Sequence, residues 1–202
     1  MSTALDRRVR KNRVILLMAG VSLLAFGCSK IPAEDLPVIS ELPAPALVDQ
    51  DGEAFDRKAL EGQLWVTSFI FTHCRATCPR LVAQMKTLQG RLADVPSARF
   101  LSVSVDPRND TPEVIKAYMR ANQIDERNWR FVTGTEKAVE DFVVGGFKVG
   151  YGRTQWSTEL THSNSFALLD SKARIRGYYG SDDAGLAALQ RDIRALDGAG
   201  GF

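Results

Sequence analysis

The run QLWVTSFIF, Gln63 to Phe71, leads without a gap into THCRATCPRL, and this junction constrains the chain more than any other feature. The first part is uncharged and rich in apolar, β-prone residues, the composition of a strand buried on both faces at the centre of a sheet. The second part brings Cys74 and Cys78 and then Pro79, after which apolar residues recur at Leu81, Val82, Met85, Leu88 and Leu92. That spacing is helical. Pro79 suits a first helical turn, where its missing N–H would be unpaired anyway. Both cysteines therefore stand between the end of a strand and the start of a helix.

The flanking sequence alternates in the same way. ALVDQDGEAF makes two short extended pieces around an Asp51-Gly52 turn, and ARFLSVSV is a second buried strand. Asp110, Thr111, Pro112 and Glu113 signal a helix start, with Asp110 or Thr111 as the cap, running on through VIKAYMRAN. NWRFVTG is a short strand and TEKAVEDFVVGGF a helix ending in glycines. SFALLD and ARIRGYY form a hairpin around Ser171-Lys172, and AGLAALQRDIRAL closes the chain as an amphipathic helix. This order predicts an α/β fold, a central mixed sheet with helices on both faces, parallel in its first part. Trp65, Phe69, Phe71, Trp129 and Phe131 fall in those strands as core residues. With 202 residues, 45% of them apolar, the chain is long enough for one domain with a sizeable core.

The ends carry different information. Arg7, Arg8, Arg10, Lys11 and Arg13 against Asp6 give a local charge of +4, so the remainder of a chain of net charge +2 sums to 2 − 4 = −2. A mildly acidic domain has no electrostatic reason to seek nucleic acid. The basic stretch precedes an uncharged apolar run, Val14 to Gly27, shorter than the roughly 20 residues of a comfortable membrane span. It ends at Cys28. Residues 1–27 thus resemble a lipoprotein signal, with Cys28 the acylated first residue of the mature chain, although Ala25 stands where such signals usually have leucine. The alternative is an uncleaved signal anchor. Both predict an exported domain, membrane-anchored and facing the periplasm. Residues 28–45, rich in proline and polar groups, are expected to be an extended tether without a core, and the folded domain to occupy 46–202.

Export leaves Cys74 and Cys78 as a close pair in a compartment that permits disulfides. Cysteines four apart at a helix start share a face, with Cβ atoms about 6 Å apart. A disulfide there would close so short a loop that it adds only about 2 kcal/mol. The helix N-terminus and nearby Arg75 favour thiolate. Two thiolates are soft ligands suited to Cu(I) or Zn(II). The chain contains two histidines. His73 adjoins Cys74 but leaves the strand on the opposite side. His162, before a later strand, is the candidate third ligand, because loops at one end of an α/β sheet can converge. A thioredoxin-type dithiol exchange centre is the main alternative, yet the cysteines have one residue more between them than Cys-x-x-Cys, and no proline follows Pro112. A zinc site lacks an evident general base, and a peroxidase of the peroxiredoxin type fits neither the Thr72 spacing nor so close a second cysteine.

From about Ala46 to Leu196 the chain resembles the Sco/SenC family of thioredoxin-like copper proteins. The resemblance rests on THC-x-x-x-CP at Thr72 to Pro79, SVDP-x-x-DTPE at Ser104 to Glu113, TG at Thr133-Gly134 and HS at His162-Ser163. It implies a thioredoxin-like fold in which Cys74, Cys78 and His162 bind one copper, as Cu(I) and in a second state Cu(II), with Asp106 accessory. It also implies a metallochaperone rather than an enzyme, delivering copper to the dinuclear copper site of cytochrome c oxidase or a related cuproprotein. An upstream copper donor and a thiol reductant would complete its set of partners. The family alternative is an exported thiol-disulfide reductase using Cys74 and Cys78 to reduce the receiving cysteines. Arg75, Ala76 and Thr77 depart from the Pro-Asp usual between the cysteines, and Thr161 stands where aspartate often precedes the histidine.

Overall fold

The structure is a computed structural model that describes residues 36–44, 46–150 and 164–198. The strand expected at Gln63–Phe71 is β4, Leu64–Ile70, buried along its whole length. It pairs in parallel with β5, Ala98–Ser104, and β5 pairs in parallel with β6, Trp129–Gly134. On its other side β4 meets β7, Ser165–Leu169, in antiparallel register, and β7 forms the expected hairpin with β8, Arg174–Gly180. The hairpin turn is held by Asp170, whose Oδ1 accepts from the N–H groups of Lys172 and Arg174, both at 3.0 Å. The short strands β1 (Ser40–Glu41), β2 (Leu47–Asp49) and β3 (Ala54–Phe55) complete an eight-stranded sheet of order β1-β8-β7-β4-β5-β6-β2-β3 among the described residues.

Strand alternation sends successive side chains to opposite faces, and each face is covered. Leu64, Val66 and Ile70 of β4 face α1 (Cys78–Arg91), α2 (Pro112–Ala121) and α4 (Asp183–Gly198), which contribute Met85, Ile115, Met119, Leu189 and Ile193 to one core. Trp65 and Phe69 face the other way, into a second core built with Leu101, Val103, Phe142 and Phe147. Ser68 of β4 and Ser102 of β5 are buried and satisfy one another. Ser68 Oγ lies 3.0 Å from Ser102 Oγ, which also accepts from Trp129 Nε1 at 3.0 Å. The predicted mixed sheet with helices on both faces is therefore the fold observed.

Two segments differ from the sequence reading. The helix expected over TEKAVEDFVVGGF is α3, Glu136–Glu140, for one turn only and then widens into a π-type turn, Asp141–Gly146. Phe147 N–H reaches back to Phe142 O at 3.1 Å to close it. At its end a Cβ on Gly146 would lie 2.8 Å from Pro43 Cδ and 2.9 Å from Leu42 Cδ2, so glycine is what lets the N-terminal segment approach this closely.

That segment is the second difference. Residues 36–44 pack on the domain instead of forming a coreless tether. β1 pairs with β8, Leu42 is buried, and the Arg176 guanidinium donates to Pro37 O at 3.2 Å and to Leu36 O. Pro37 and Pro43 flank the paired residues Ser40 and Glu41, so their missing donors are not needed at this sheet edge. The cause is tertiary: the outer side of β8 offers unpaired backbone, and only the folded hairpin creates it. Leu42→Ala is accordingly expected to cost about 3 kcal/mol of unfolding free energy, read by denaturant titration, whereas a true tether residue would show no change.

Candidate metal centre

Parallel pairing of β4 with β5 brings the loops that follow them together at one end of the sheet. Val105 N–H extends the ladder onto Ile70 O at 2.9 Å. The chain then turns, with Cys74 N–H donating to Phe71 O at 3.2 Å. Thr72, inside this turn, is tied to the β5–α2 loop by Asp110. Its N–H lies 3.1 and 3.3 Å from the two carboxylate oxygens, and its hydroxyl donates to Oδ1 at 2.6 Å. Ser104 Oγ donates to Oδ2 of the same carboxylate at 2.6 Å.

Helix α1 begins at Cys78 with no side-chain oxygen capping it, and Pro79 in its first turn carries no N–H. The first of the helix's N–H groups without an intrahelical acceptor, that of Cys78, points at Cys74 Sγ, 3.4 Å away. Cys74 is half-exposed and Cys78 buried, and both are free thiols. Burial by itself would raise the Cys74 pKa. Hydrogen bonds from the Cys78 thiol and from the backbone N–H groups of Cys78, Ala76 and Thr77 outweigh it and hold Cys74 below the usual thiol range. Burial pushes the Cys78 thiol well up, reinforced by the hydrogen it donates to Cys74. The pair is thus electrically asymmetric: an accessible sulfur disposed to be thiolate lies over a buried one disposed to keep its proton.

The other expected site residues fall as follows. Asp106 lies in the loop after β5, where its carboxylate accepts from Asn109 Nδ2 at 2.8 Å and its N–H donates to Ser104 Oγ at 3.1 Å. These bonds brace its own loop. His73 is exposed and faces Thr72 and Asp110, its Nδ1 3.1 Å from Thr72 Oγ1 and 4.0 Å from Asp110 Oδ1. His162 and Cys28 lie outside the described residues. β7 begins at Ser165, and its register, Thr67 opposite Ala167, puts that strand start at the end of β4 from which the cysteine turn leaves. Among the described residues no three His, Cys, Asp or Glu side chains gather as a metal site. They supply a sulfur pair.

Two residues near the pair were not singled out for the site from sequence. Asp110, read there as one of two candidate caps, leaves that role to Thr111, whose Oγ1 accepts from Val114 N–H at 3.4 Å. Its burial (1% exposed) and its bonds to Thr72 could not be read from the linear order. Tyr118 of α2 packs edge-on to Phe131, with ring centroids 6.1 Å apart. Its hydroxyl pKa is pushed up to about 12, by burial first and then by the neighbouring Cys78, Cys74 and Asp110.

A thioredoxin-like α/β sheet carrying a dithiol between a central strand and its helix defines the class of the protein. The comparisons place it within that class. The SCO1/SenC family pattern matches residues 43–196, and the chain belongs to that family. It is 29% identical over 183 residues to the SCO1 protein homolog of Bacillus subtilis, covering 89% of this chain and 94% of the relative. The crystal structure of a SCO1/SenC family lipoprotein from Bacillus anthracis superposes with a TM-score of 0.72 at 29% identity, over 79% of this chain and 96% of the other. BsSco, described as a member of the Sco family of cytochrome c oxidase assembly proteins with a disulfide switch, superposes with a TM-score of 0.70 at 28% identity, over 80% and 96%.

The asymmetry predicts selective alkylation. Because the Cys74 pKa is lowered, its thiolate persists as pH falls below the ordinary thiol value of about 8.5, and is lost only as pH passes the lower value. Iodoacetamide followed by peptide mass spectrometry should therefore label Cys74 with a midpoint below that of a free thiol, while Cys78 stays unlabelled over the same range. Equal labelling of both would contradict the arrangement.

Proposed function

We propose that the protein is a membrane-tethered copper donor that takes up one Cu(I) through Cys74, Cys78 and His162 and passes it to the dinuclear copper site of cytochrome c oxidase or a similar respiratory copper protein. The observation that carries this reading is the pair of unbridged cysteines at a helix start, with Cys78 N–H on Cys74 Sγ at 3.4 Å. Two soft sulfurs side by side suit Cu(I) and leave a coordination sphere that an imidazole can close. His162 is the third ligand by the family resemblance, and the start of β7 at this end of the sheet supports it. Copper is the cargo. Cys74 offers the accessible sulfur at which an incoming ligand from the recipient can begin exchange, and Cys78 holds from beneath until it too is displaced.

The anchor in this reading is the segment 1–27 or the acylated Cys28, and the similarity to a lipoprotein supports it. Among the described residues no helix is long and apolar enough to cross a membrane. Leu36 packs on the domain and stands eight residues after Cys28, so at no more than about 3.5 Å per residue the chain keeps the domain within about 28 Å of an anchor at Cys28. It would face the periplasm.

The asymmetry of the pair favours one second reading, an exported disulfide reductase. Cys74 thiolate would attack a partner disulfide, releasing one partner thiolate and forming a mixed disulfide. Cys78, giving up its proton, would then attack Cys74 sulfur, forming the internal disulfide and releasing the second partner thiol. A Cu(I) competition titration against a chromophoric chelator on the fully reduced protein separates the two. One copper per chain is expected, abolished by Cys74→Ala or Cys78→Ala. His162→Ala should weaken it by at least the roughly 10–100-fold that changes behind a ligand produce. No competition, with ready exchange against glutathione, would establish the reductase instead.

A further inference from the structure

Asp110 occupies an unusual position for a carboxylate. It is 1% exposed, belongs to neither the cysteine turn nor the helix it precedes, and forms no ion pair with Lys or Arg among the described residues. Three groups donate to it: Thr72 N–H, Thr72 Oγ–H and Ser104 Oγ–H. Two of these belong to the turn that delivers Cys74, and the third anchors the carboxylate to the end of β5. Thr72 is the second residue of the turn closed by Cys74 N–H on Phe71 O. Fixing it fixes the direction in which Cys74 leaves the sheet. Beyond that turn bond Cys74 is held through its sulfur, by Cys78 N–H at 3.4 Å, by Thr77 Oγ1 at 4.0 Å, and by the Cys78 thiol and the Ala76 and Thr77 N–H groups.

We infer that Asp110 is a positioning residue of the dithiol, a latch between the β4–α1 and β5–α2 loops that acts through Thr72 to hold Cys74 sulfur over Cys78. It touches neither sulfur by any hydrogen bond described. Buried carboxylates cost free energy unless their acceptors are used, and here the acceptors are used mainly on the cysteine turn. Simple capping of α2 does not explain them, because Thr111 caps that helix. The consequence is entropic. A latched turn spends more of its time with the two sulfurs in contact, so their effective concentration toward each other is higher. Release of the turn lowers it. The inference rests on Cys74 and Cys78 being the working pair, but needs no copper.

The test is the equilibrium of the protein disulfide with glutathione at pH 7, in which two glutathione thiols reduce the Cys74–Cys78 disulfide and become one glutathione disulfide. Asp110→Ala should shift this equilibrium toward the dithiol about tenfold, the size expected for loss of a charge-assisted hydrogen bond, or about 30 mV. Thr72→Val, which keeps the N–H bond and removes the hydroxyl bond, should shift it in the same direction by less. The double variant should shift no further than Asp110→Ala, because both act through one contact. Asp110→Asn, which retains an acceptor for Thr72 N–H, should recover part of the loss. Tyr179→Phe, removing the buried 2.9 Å bond to Asp192 of α4, which involves neither the cysteine turn nor Asp110, controls for loss of stability alone and should leave the equilibrium unchanged.

Wild-type equilibrium in both Asp110→Ala and Thr72→Val, with only a lower melting temperature, would reduce Asp110 to a brace of the fold and overturn the inference. So would an equal shift in Tyr179→Phe. If Asp110→Ala does not fold, Thr72→Val decides in the same way. A wild-type pair that never exchanges with glutathione would instead overturn the reading of the cysteines, and the inference with it, whereas failure to bind copper leaves the inference standing.

Discussion

The parallel pairing of β4 with β5, residue for residue from Leu64 opposite Ala98 to Ile70 opposite Ser104, is the constraint on which the site depends. Two parallel strands in this register end at the same height, so the loops that follow leave side by side. The Val105 N–H bond to Ile70 O continues the ladder into them, and Asp110 then spans the remaining gap to Thr72. A slip of β5 by one residue would turn Ser102 and Ser104 to the opposite face, parting Ser102 from Ser68 and Ser104 from Asp110. The sheet thus supplies both the scaffold and the registration of the cysteine turn.

Electrical asymmetry follows from where α1 begins. A helix start exposes N–H groups that need acceptors, and a serine or aspartate cap would normally meet them. Here that cap is missing and a sulfur takes its place. The same bonds that stabilise Cys74 as thiolate leave Cys78 as the donor beneath it, in a core where ionisation is unfavourable. The N–H groups around that uncapped N-terminus and the burial of Cys78 together account for the division of labour between two chemically identical groups. Metal donation and disulfide exchange both use that division, because each requires one accessible and one retained sulfur.

The second face of the sheet has a different task. Phe69, Phe142 and Phe147 pack there edge to face, with centroids near 5 Å, and the widened turn at Asp141–Gly146 brings Phe147 into that cluster. Gly146 then admits Leu42 and Pro43 against it. The N-terminal segment is thereby docked at the sheet edge beside β8, so whatever precedes Leu36 joins the domain at a defined place.

Much of the architecture was legible in the residues. The uncharged β4 run, the helical spacing after Pro79, the Thr111-Pro112-Glu113 start and the Ser171-Lys172 turn all carry their structure in local order, because propensity and periodicity act over a few neighbours. The place of the cysteine pair between strand and helix was legible for the same reason, but the shared helical face was not the outcome, because Cys74 lies in the turn before α1 and only Cys78 is in the helix. What local order could not show is anything that depends on two distant segments meeting. Asp110 and Thr72 are 38 residues apart, Arg176 and Pro37 139 apart, and Ser40 and Gly146 106 apart. The sequence by itself determined a βαβ core with a dithiol at the end of its central strand. Only the tertiary structure decided that Asp110 holds the cysteine turn, that residues 36–44 belong to the domain, and that Cys74 rather than Cys78 is the open sulfur, because burial and long-range hydrogen bonds exist only once the strands are paired.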